Sequence, residues 1–341
     1  MQTSTASESG ERRPLKSSDQ TTATDDDIYY AYRLLLGREP DAQGWEDLRR
    51  IVAERRLTPH QLAHAFMSSP EFAARIAGSP QVGGLSELVL DGFSLFVRAD
   101  DRDIGEGVSS TRVYEPHVTR VVRELLRSGD TFVDVGANIG YFTNLAACLV
   151  GASGFVLALE PMDKNVQLIL RSLERNALTH VRVLACAASD RDGRVAMRTD
   201  PGTSNGQAMA TGMADRQAMY AQALRLDDVT RDLARIDLVK LDIEGFELLA
   251  WRGFREGLAR HRPRVLTEFH PYCMTQFVGV RPEEYLVEIF DYGSAVDVVP
   301  TGGPRVRCAA PEDVMRQWFT LNERTGADGK YHLDLLIHPR S

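Results

Sequence analysis

From residue 131 onward, short apolar runs alternate with segments of helical period. Phe132, Val133 and Val135 make one run, and 154–159, 181–185, 238–241 and 265–269 make others, separated by amphipathic stretches at 141–150, 163–176 and 245–259. This repeated strand–helix–strand order predicts a mostly parallel, doubly wound α/β sheet with its ligand at the carboxyl ends of the strands. Helices over 282–290 and around 313–319, a strand near 296–299 and a closing antiparallel strand at 332–338 complete it. Ahead of the sheet, 88–97 and Tyr114-Glu115-Pro116 read as a hairpin entry, and 118–126 as a helix.

The N-terminal quarter follows a different pattern. Residues 1–25 are Ser, Thr, Gln, Glu and Asp with almost nothing to bury, and predict a disordered tail. Residues 26–78 have helical period throughout: Ile28, Tyr29, Tyr32, Leu34 and Leu35 predict one helix stopped at Gly37, and Trp45, Leu48, Ile51 and Val52 a second. Thr58-Pro59 caps a third, and Ser69-Pro70 starts a short fourth. A Gly-rich break makes 79–84 a linker, which leaves 85–341 as the main domain.

A chain of 341 residues, 43% hydrophobic, buries such a core without staples. The formal net charge of −8 argues against nucleic acid or anionic membranes as partners. Four cysteines scattered without a C-x-x-C pair argue against disulfides and a zinc site. With no apolar leader and no membrane-length run, the expectation is a soluble cytoplasmic protein of unspecified oligomeric state.

The chemistry gathers at 131–140, Thr-Phe-Val-Asp-Val-Gly-Ala-Asn-Ile-Gly, a strand running into a glycine corner and a helix N-terminus. Such a corner lets backbone N–H groups approach a polar ligand. It lacks the Gly-x-Gly-x-x-Gly of a dinucleotide site and the Gly-Lys-Ser/Thr of a P-loop. The next strand ends at Glu160-Pro161, twenty residues past Gly140, where an acid can accept hydrogen bonds from two ribose hydroxyls.

Several motifs in order then carry a family resemblance: Tyr114-Glu115-Pro116, Val133 to Phe142, Glu160-Pro161, Ala188-Ser189-Asp190 with Gly193, Leu226-Asp227-Asp228, and Lys240 to Glu247. Over roughly 90–338 the chain resembles the FkbM family of class I S-adenosylmethionine-dependent methyltransferases. The resemblance implies a Rossmann-like, seven-stranded sheet, a bound S-adenosylmethionine, and O-methylation of a sugar or secondary metabolite. Within it, Asp134, Gly136, Asn138, Gly140 and Tyr141 are expected at the amino-acid end of the cofactor, Glu160 at the ribose, Ser189 and Asp190 near the adenine, and Asp242 facing the methyl group. Met162-Asp163 departs from the family's usual Asn-Pro. The segment from Tyr32 to Phe72, with its Leu-Gly-Arg-x-Pro-Asp core, resembles the DUF4214 helical modules that accompany bacterial surface-glycan enzymes.

Lys240 and Asp242 share one face of an otherwise apolar strand, and Glu268 and His270 one face of the next. Charges in central strands are costly unless paired or used. Asp242, Glu244, Glu268 and His270 are the candidate bases. His270 is preferred for its ordinary pKa near 6.5, and a structural Lys240–Glu268 ion pair is the alternative for those two. A magnesium ion on Asp242, Glu244 and Glu268 is less favoured than catalysis with no metal. Residues 197–223 interrupt the sheet pattern as a polar substrate lid or a poorly ordered loop. The expected function is an O-methyltransferase for a hydroxyl of a small-molecule or glycan acceptor. The alternatives are a nicotinamide oxidoreductase, or an inactive interaction protein working through its helical module.

Overall fold

The structure, a computed structural model, describes residues 22–36, 38–67, 69–72, 84–102, 104–199, 202–209 and 219–340. Expectations for the tail up to residue 21, the stop at Gly37, linker residues 79–83 and the middle of the insertion, 210–218, lie outside these. The chain divides into two units, 1–80 and 81–341.

In the first unit, Thr24 caps the helix Asp25–Ala31 reciprocally. Its hydroxyl accepts from the Asp27 N–H at 3.2 Å, and the Asp27 carboxylate accepts from the Thr24 N–H at 2.8 Å. The chain then widens into a π-type turn, Tyr32–Leu36, where the apolar spacing predicts one uninterrupted helix. Helices Ala42–Arg55 and Pro59–Met67 follow, capped by Asp41 and by the Thr58/Gln61 pair. Ile28, Tyr32, Leu35, Val52, Leu62 and Phe66 are buried. The Tyr32 and Phe66 rings meet edge to face at 5.0 Å.

The second unit opens with a hairpin, β1 Leu85–Val89 and β2 Ser94–Arg98. Tyr114-Glu115-Pro116 is no part of it. These residues enter the helix Pro116–Leu125, with Pro116 at its first position and Glu115 at φ +40°. The main sheet contains β3 Thr131–Val135, β4 Phe155–Leu159 and β5 Val181–Leu184 on one side. On the other side lie β10 Leu238–Leu241, β11 Arg264–Phe269, β12 Gly293–Val299, β13 Val306–Cys308 and β14 Leu333–Pro339. The order is β13-β12-β14-β11-β10-β3-β4-β5. The five strands from β11 to β5 run parallel, and β14 lies antiparallel between β11 and β12. To the seven expected strands the described residues add the short edge strand β13.

Residues 187–225 leave this sheet to build a second one, β6 Ala187–Ser189, β7 Gly193–Thr199, β8 Gly206–Met209 and β9 Met219–Arg225, in the order β6-β9-β7-β8. The insertion expected as a lid or a loose loop is thus substantially pleated. Alternate β3 residues face opposite cores: Val133 and Val135 pack with Trp251 and Tyr285, while Phe132 packs with Val118 and Leu145. Burial on both faces is why β3 reads as a continuous apolar run. The single helix expected over 245–259 is two, Glu247–Arg252 and Arg255–His261. Gly253 lies between them and presses on β6: a Cβ there would be 1.9 Å from the Ser189 carbonyl oxygen.

Candidate active site

The switch in strand order falls between β3, from which β4 leads one way, and β10 on its other side. Gly136, leaving β3 at φ +84°, is held so close to β10 that a Cβ would stand 1.9 Å from the Asp242 carbonyl oxygen. Gly140, at φ +89°, begins the helix Tyr141–Val150 with no room toward Ile169, whose Cγ1 would lie 2.8 Å from a Cβ. Asn138 between them is also left-handed, at φ +49°, a conformation Asn tolerates better than most residues.

The corner's donors differ from expectation. The N–H groups of Gly136 and Ala137 both donate to the Leu159 carbonyl at 3.0 Å, that of Gly140 to Ala137 at 2.8 Å, and that of Asn138 to Glu160 Oε2 at 2.8 Å. Because β3 and β4 end in register at Val135 and Leu159, these donors satisfy the end of the neighbouring strand. They do not form a phosphate cradle.

Glu160, only 4% exposed, accepts at Oε1 from the Met162 N–H (2.9 Å) and Asn165 Nδ2 (3.2 Å), besides the Asn138 bond at Oε2. Burial outweighs these three donors and lifts its pKa to about 7. Asn165 also donates to the Ser204 carbonyl (2.8 Å), and Asn138 Nδ2 to Asn205 Oδ1 (2.9 Å), which ties the second sheet's connection to the corner.

Around these groups lies a cavity at the carboxyl ends of the strands. Gly136, Asn138, Tyr141, Glu160, Asp242 and Glu244 all line it. Tyr141 belongs to an aromatic cluster with Phe93, Tyr114 and Phe142. Asp134, Gly140, Ser189 and Asp190 are not on its wall. Asp134 is fully buried on the face of the sheet it shares with its register partner Lys240, accepting from Thr143 Oγ1 at 2.6 Å. Where Ser189 and Asp190 are expected, the wall is Cys186, Ala187 and Ala188, and Ser189 instead donates to Asp190 at 3.3 Å.

At the β10 exit, Lys240 pairs with Asp242 at 2.5 Å, not with Glu268. The reason is register: Lys240 lies opposite Asp134 on β3 and Leu266 on β11. Its ammonium stands 4.7 Å from the Phe142 ring centroid. Burial pulls its pKa down, but Asp242, Glu115 and Asp134 outweigh burial and raise it. Glu115 is half-buried with its Oε2 fully enclosed, and its pKa is lifted to about 8, desolvation winning over the attraction of Lys240. Glu268 is 7% exposed, faces His332 at 3.5 Å, and is raised by burial and by the carboxylates of Asp242, Glu244 and Glu247. Glu247 braces the loop after β10 by accepting from the Ile243 and Gly245 N–H groups at 2.9 and 3.2 Å.

His270 falls outside the first cavity. It lines a second, of about 270 Å³, with Tyr272, Cys273, Phe277, Lys330 and Gln207. Glu244 and Asn205 line both cavities. The preference for His270 on the strength of an ordinary pKa is corrected, because burial, then His332, lowers it to about 4. The grouping of Asp242, Glu244 and Glu268 for magnesium also changes: among the described residues, the converging donors are Glu244, His270 and Cys273. Sequence reading missed Asn165, Thr143 and Asn205. Asn165 lies in the first turn of the helix Asp163–Arg175, where Asn is unremarkable, so the sequence carried no signal for its role.

Residues 134–293 match the family model of the methyltransferase FkbM domain. No curated protein matches the chain. Among solved structures, methyltransferase FkbM from Methylobacillus flagellatus KT is similar at 16% identity and a TM-score of 0.37, over 88% of this chain and 72% of that one. A SAM-dependent O-methyltransferase from Thermotoga maritima is similar at 12% and 0.36, over 82% of each chain. Pyrococcus abyssi tRNA (uracil-54, C5)-methyltransferase, solved with S-adenosyl-L-homocysteine, is similar at 12% and 0.36, over 75% and 44%. Likenesses this distant carry no argument about activity, cofactor or substrate. No helix among the described residues is long and apolar enough to cross a membrane. The match over residues 134–293 therefore makes the chain a methyltransferase with an FkbM-type domain in that segment.

Proposed function

We propose that the chain transfers a methyl group to a hydroxyl of a sugar, a glycan or a glycosylated metabolite. The observation that carries this reading is the pair of cavities sharing Asn205 and Glu244 as a common wall. One suits the cofactor. Among the described residues its Glu160 Oε2 takes a single protein donor, Asn138 N–H, and a carboxylate oxygen accepts two, so a ribose hydroxyl is accommodated. The other combines the rings of Tyr272 and Phe277 with Thr203, Asn205, Gln207 and His270. Flat apolar faces among planar hydrogen-bonding groups suit a hydroxylated ring better than a lipid.

When bound, S-adenosylmethionine supplies an electrophilic methyl group on a sulfonium. The protein must orient the acceptor hydroxyl in line with it and accept a proton as the new bond forms. Asp242 is our choice of base: it lines the cofactor cavity at the tip of β10, where Lys240 holds it in place at 2.5 Å. Tyr114, Tyr141 and Phe142 line the same cavity and exclude water from the charged centre. We further read the helical unit as a DUF4214-type module that brings a glycan enzyme to its assembly.

The test is methyl transfer from radiolabelled S-adenosylmethionine to panels of glycans, glycosides and RNA, with NADH binding measured alongside. Label in carbohydrate with no NADH binding is expected. Label in RNA alone would overturn the acceptor class.

A further inference from the structure

We infer that Glu244, His270 and Cys273 form a three-ligand site for a divalent transition-metal ion of the zinc class, open to the second cavity. One donor atom from each residue lies within 4.8 Å of the other two. Three ligands on a zinc tetrahedron with bonds of 2.0–2.3 Å are separated by roughly 3.3–3.8 Å, so small side-chain rotations close the set. Sulfur, imidazole nitrogen and carboxylate oxygen together select zinc or cobalt over magnesium or calcium, which take oxygen.

The scaffold is built to hold these donors. His270 directly follows β11, and Cys273 ends the one-turn helix Pro271–Cys273. Glu244 comes from the β10 loop, held at φ +56°, a left-handed conformation that a non-glycine residue keeps only where its surroundings impose it. They do: Gly245, at φ +101°, is pressed so tightly on the short helix that a Cβ would lie 2.7 Å from the Cys273 carbonyl carbon. Gln207 Nε2 donates to Cys273 Sγ at 3.4 Å and orients it.

Charge also fits. One thiolate and one carboxylate balance a dication, with the Cys273 proton released to solvent on binding. Arg198 and Lys330 line the same cavity, and the Lys330 ammonium stands 5.6 Å from the Tyr272 ring centroid. Three protein ligands with a position open to a cavity are the arrangement of catalytic rather than structural zinc. If the proposed hydroxyl acceptor occupies that cavity, the ion would lower the hydroxyl's pKa. Only this last role rests on the proposed function.

The experiment is a Co²⁺ titration of the chelator-stripped full chain without cofactor or acceptor, so a wrong acceptor class cannot affect it. One Co²⁺ per chain is expected, with a near-ultraviolet thiolate-to-cobalt charge-transfer band that Zn²⁺ abolishes. Cys273→Ser should lose the band, and His270→Ala and Glu244→Gln should each weaken Co²⁺ at least tenfold. Cys148→Ser, at the exposed cysteine, should change nothing. Melting curves identify variants that fail to fold, and the remaining ones carry the test. Absence of stoichiometric binding would overturn the site, as would a band unchanged in Cys273→Ser or lost in Cys148→Ser.

Discussion

Glu160→Gln separates the electrostatic and binding roles of the residue at the tip of β4. The wild-type carboxyl is buried and its pKa raised from 4.5 to about 7, which at about 1.4 kcal/mol per pH unit corresponds to about 3 kcal/mol. The sign follows from proton counting. Between pH 4.5 and 7 the unfolded chain has released this proton while the folded chain keeps it, so Glu160 lowers stability as pH rises through that window. The penalty is absent below pH 4.5 and complete above 7. Glutamine never ionises and escapes it, but its amide NH₂ must face at least one donor among Asn138 N–H, Met162 N–H and Asn165 Nδ2, costing about 1–3 kcal/mol at every pH. Urea unfolding from pH 4 to pH 8 should therefore show the stability difference shifting toward the variant by about 3 kcal/mol. Calorimetry at pH 8 should show S-adenosylmethionine bound about tenfold more weakly, or roughly 1.4 kcal/mol, because the ribose acceptor is replaced. A difference independent of pH would refute the burial account, and unchanged affinity would refute the ribose assignment.

Three further substitutions probe the supports of the cavity. Gly136→Ala places a Cβ against the Asp242 carbonyl in a left-handed backbone. A loss of about 3 kcal/mol or more is expected, about 6–12 °C in Tm at 2–4 °C per kcal/mol, and a shift under 2 °C by calorimetry would contradict the close packing of β3 on β10. Lys240→Met removes the cation that pairs with Asp242 and attracts Asp134 and Glu115, and urea unfolding at pH 7 should show a loss of about 3–5 kcal/mol; a neutral result would refute the buried ion pair as a support of the cavity. Thr143→Val takes from Asp134 its 2.6 Å donor and should cost about 1–3 kcal/mol in the same assay, with cofactor affinity unchanged because Asp134 is off the cavity wall.

The sequence alone determined the alternation of strands and helices, the buried faces and the positions of Gly136 and Glu160, because each is a local matter: a period, a left-handed turn, an acid at a strand end. It also placed Asp242, Glu244, Glu268 and His270 near one sheet edge, since strands of a parallel sheet end together. Tertiary structure decided what those ends meet. Register set Lys240 against Asp242 rather than Glu268, and the shared end of β3 and β4 consumed the corner's N–H groups. The second sheet brought Asn205 to Asn138, and the tight contact of Gly245 brought Cys273 beside Glu244 and His270. No spacing along the chain encodes such meetings, because they are fixed by which strands pair and by how closely backbones approach. The four cysteines therefore look unrelated to metal in the sequence, while one of them joins a donor set in the fold.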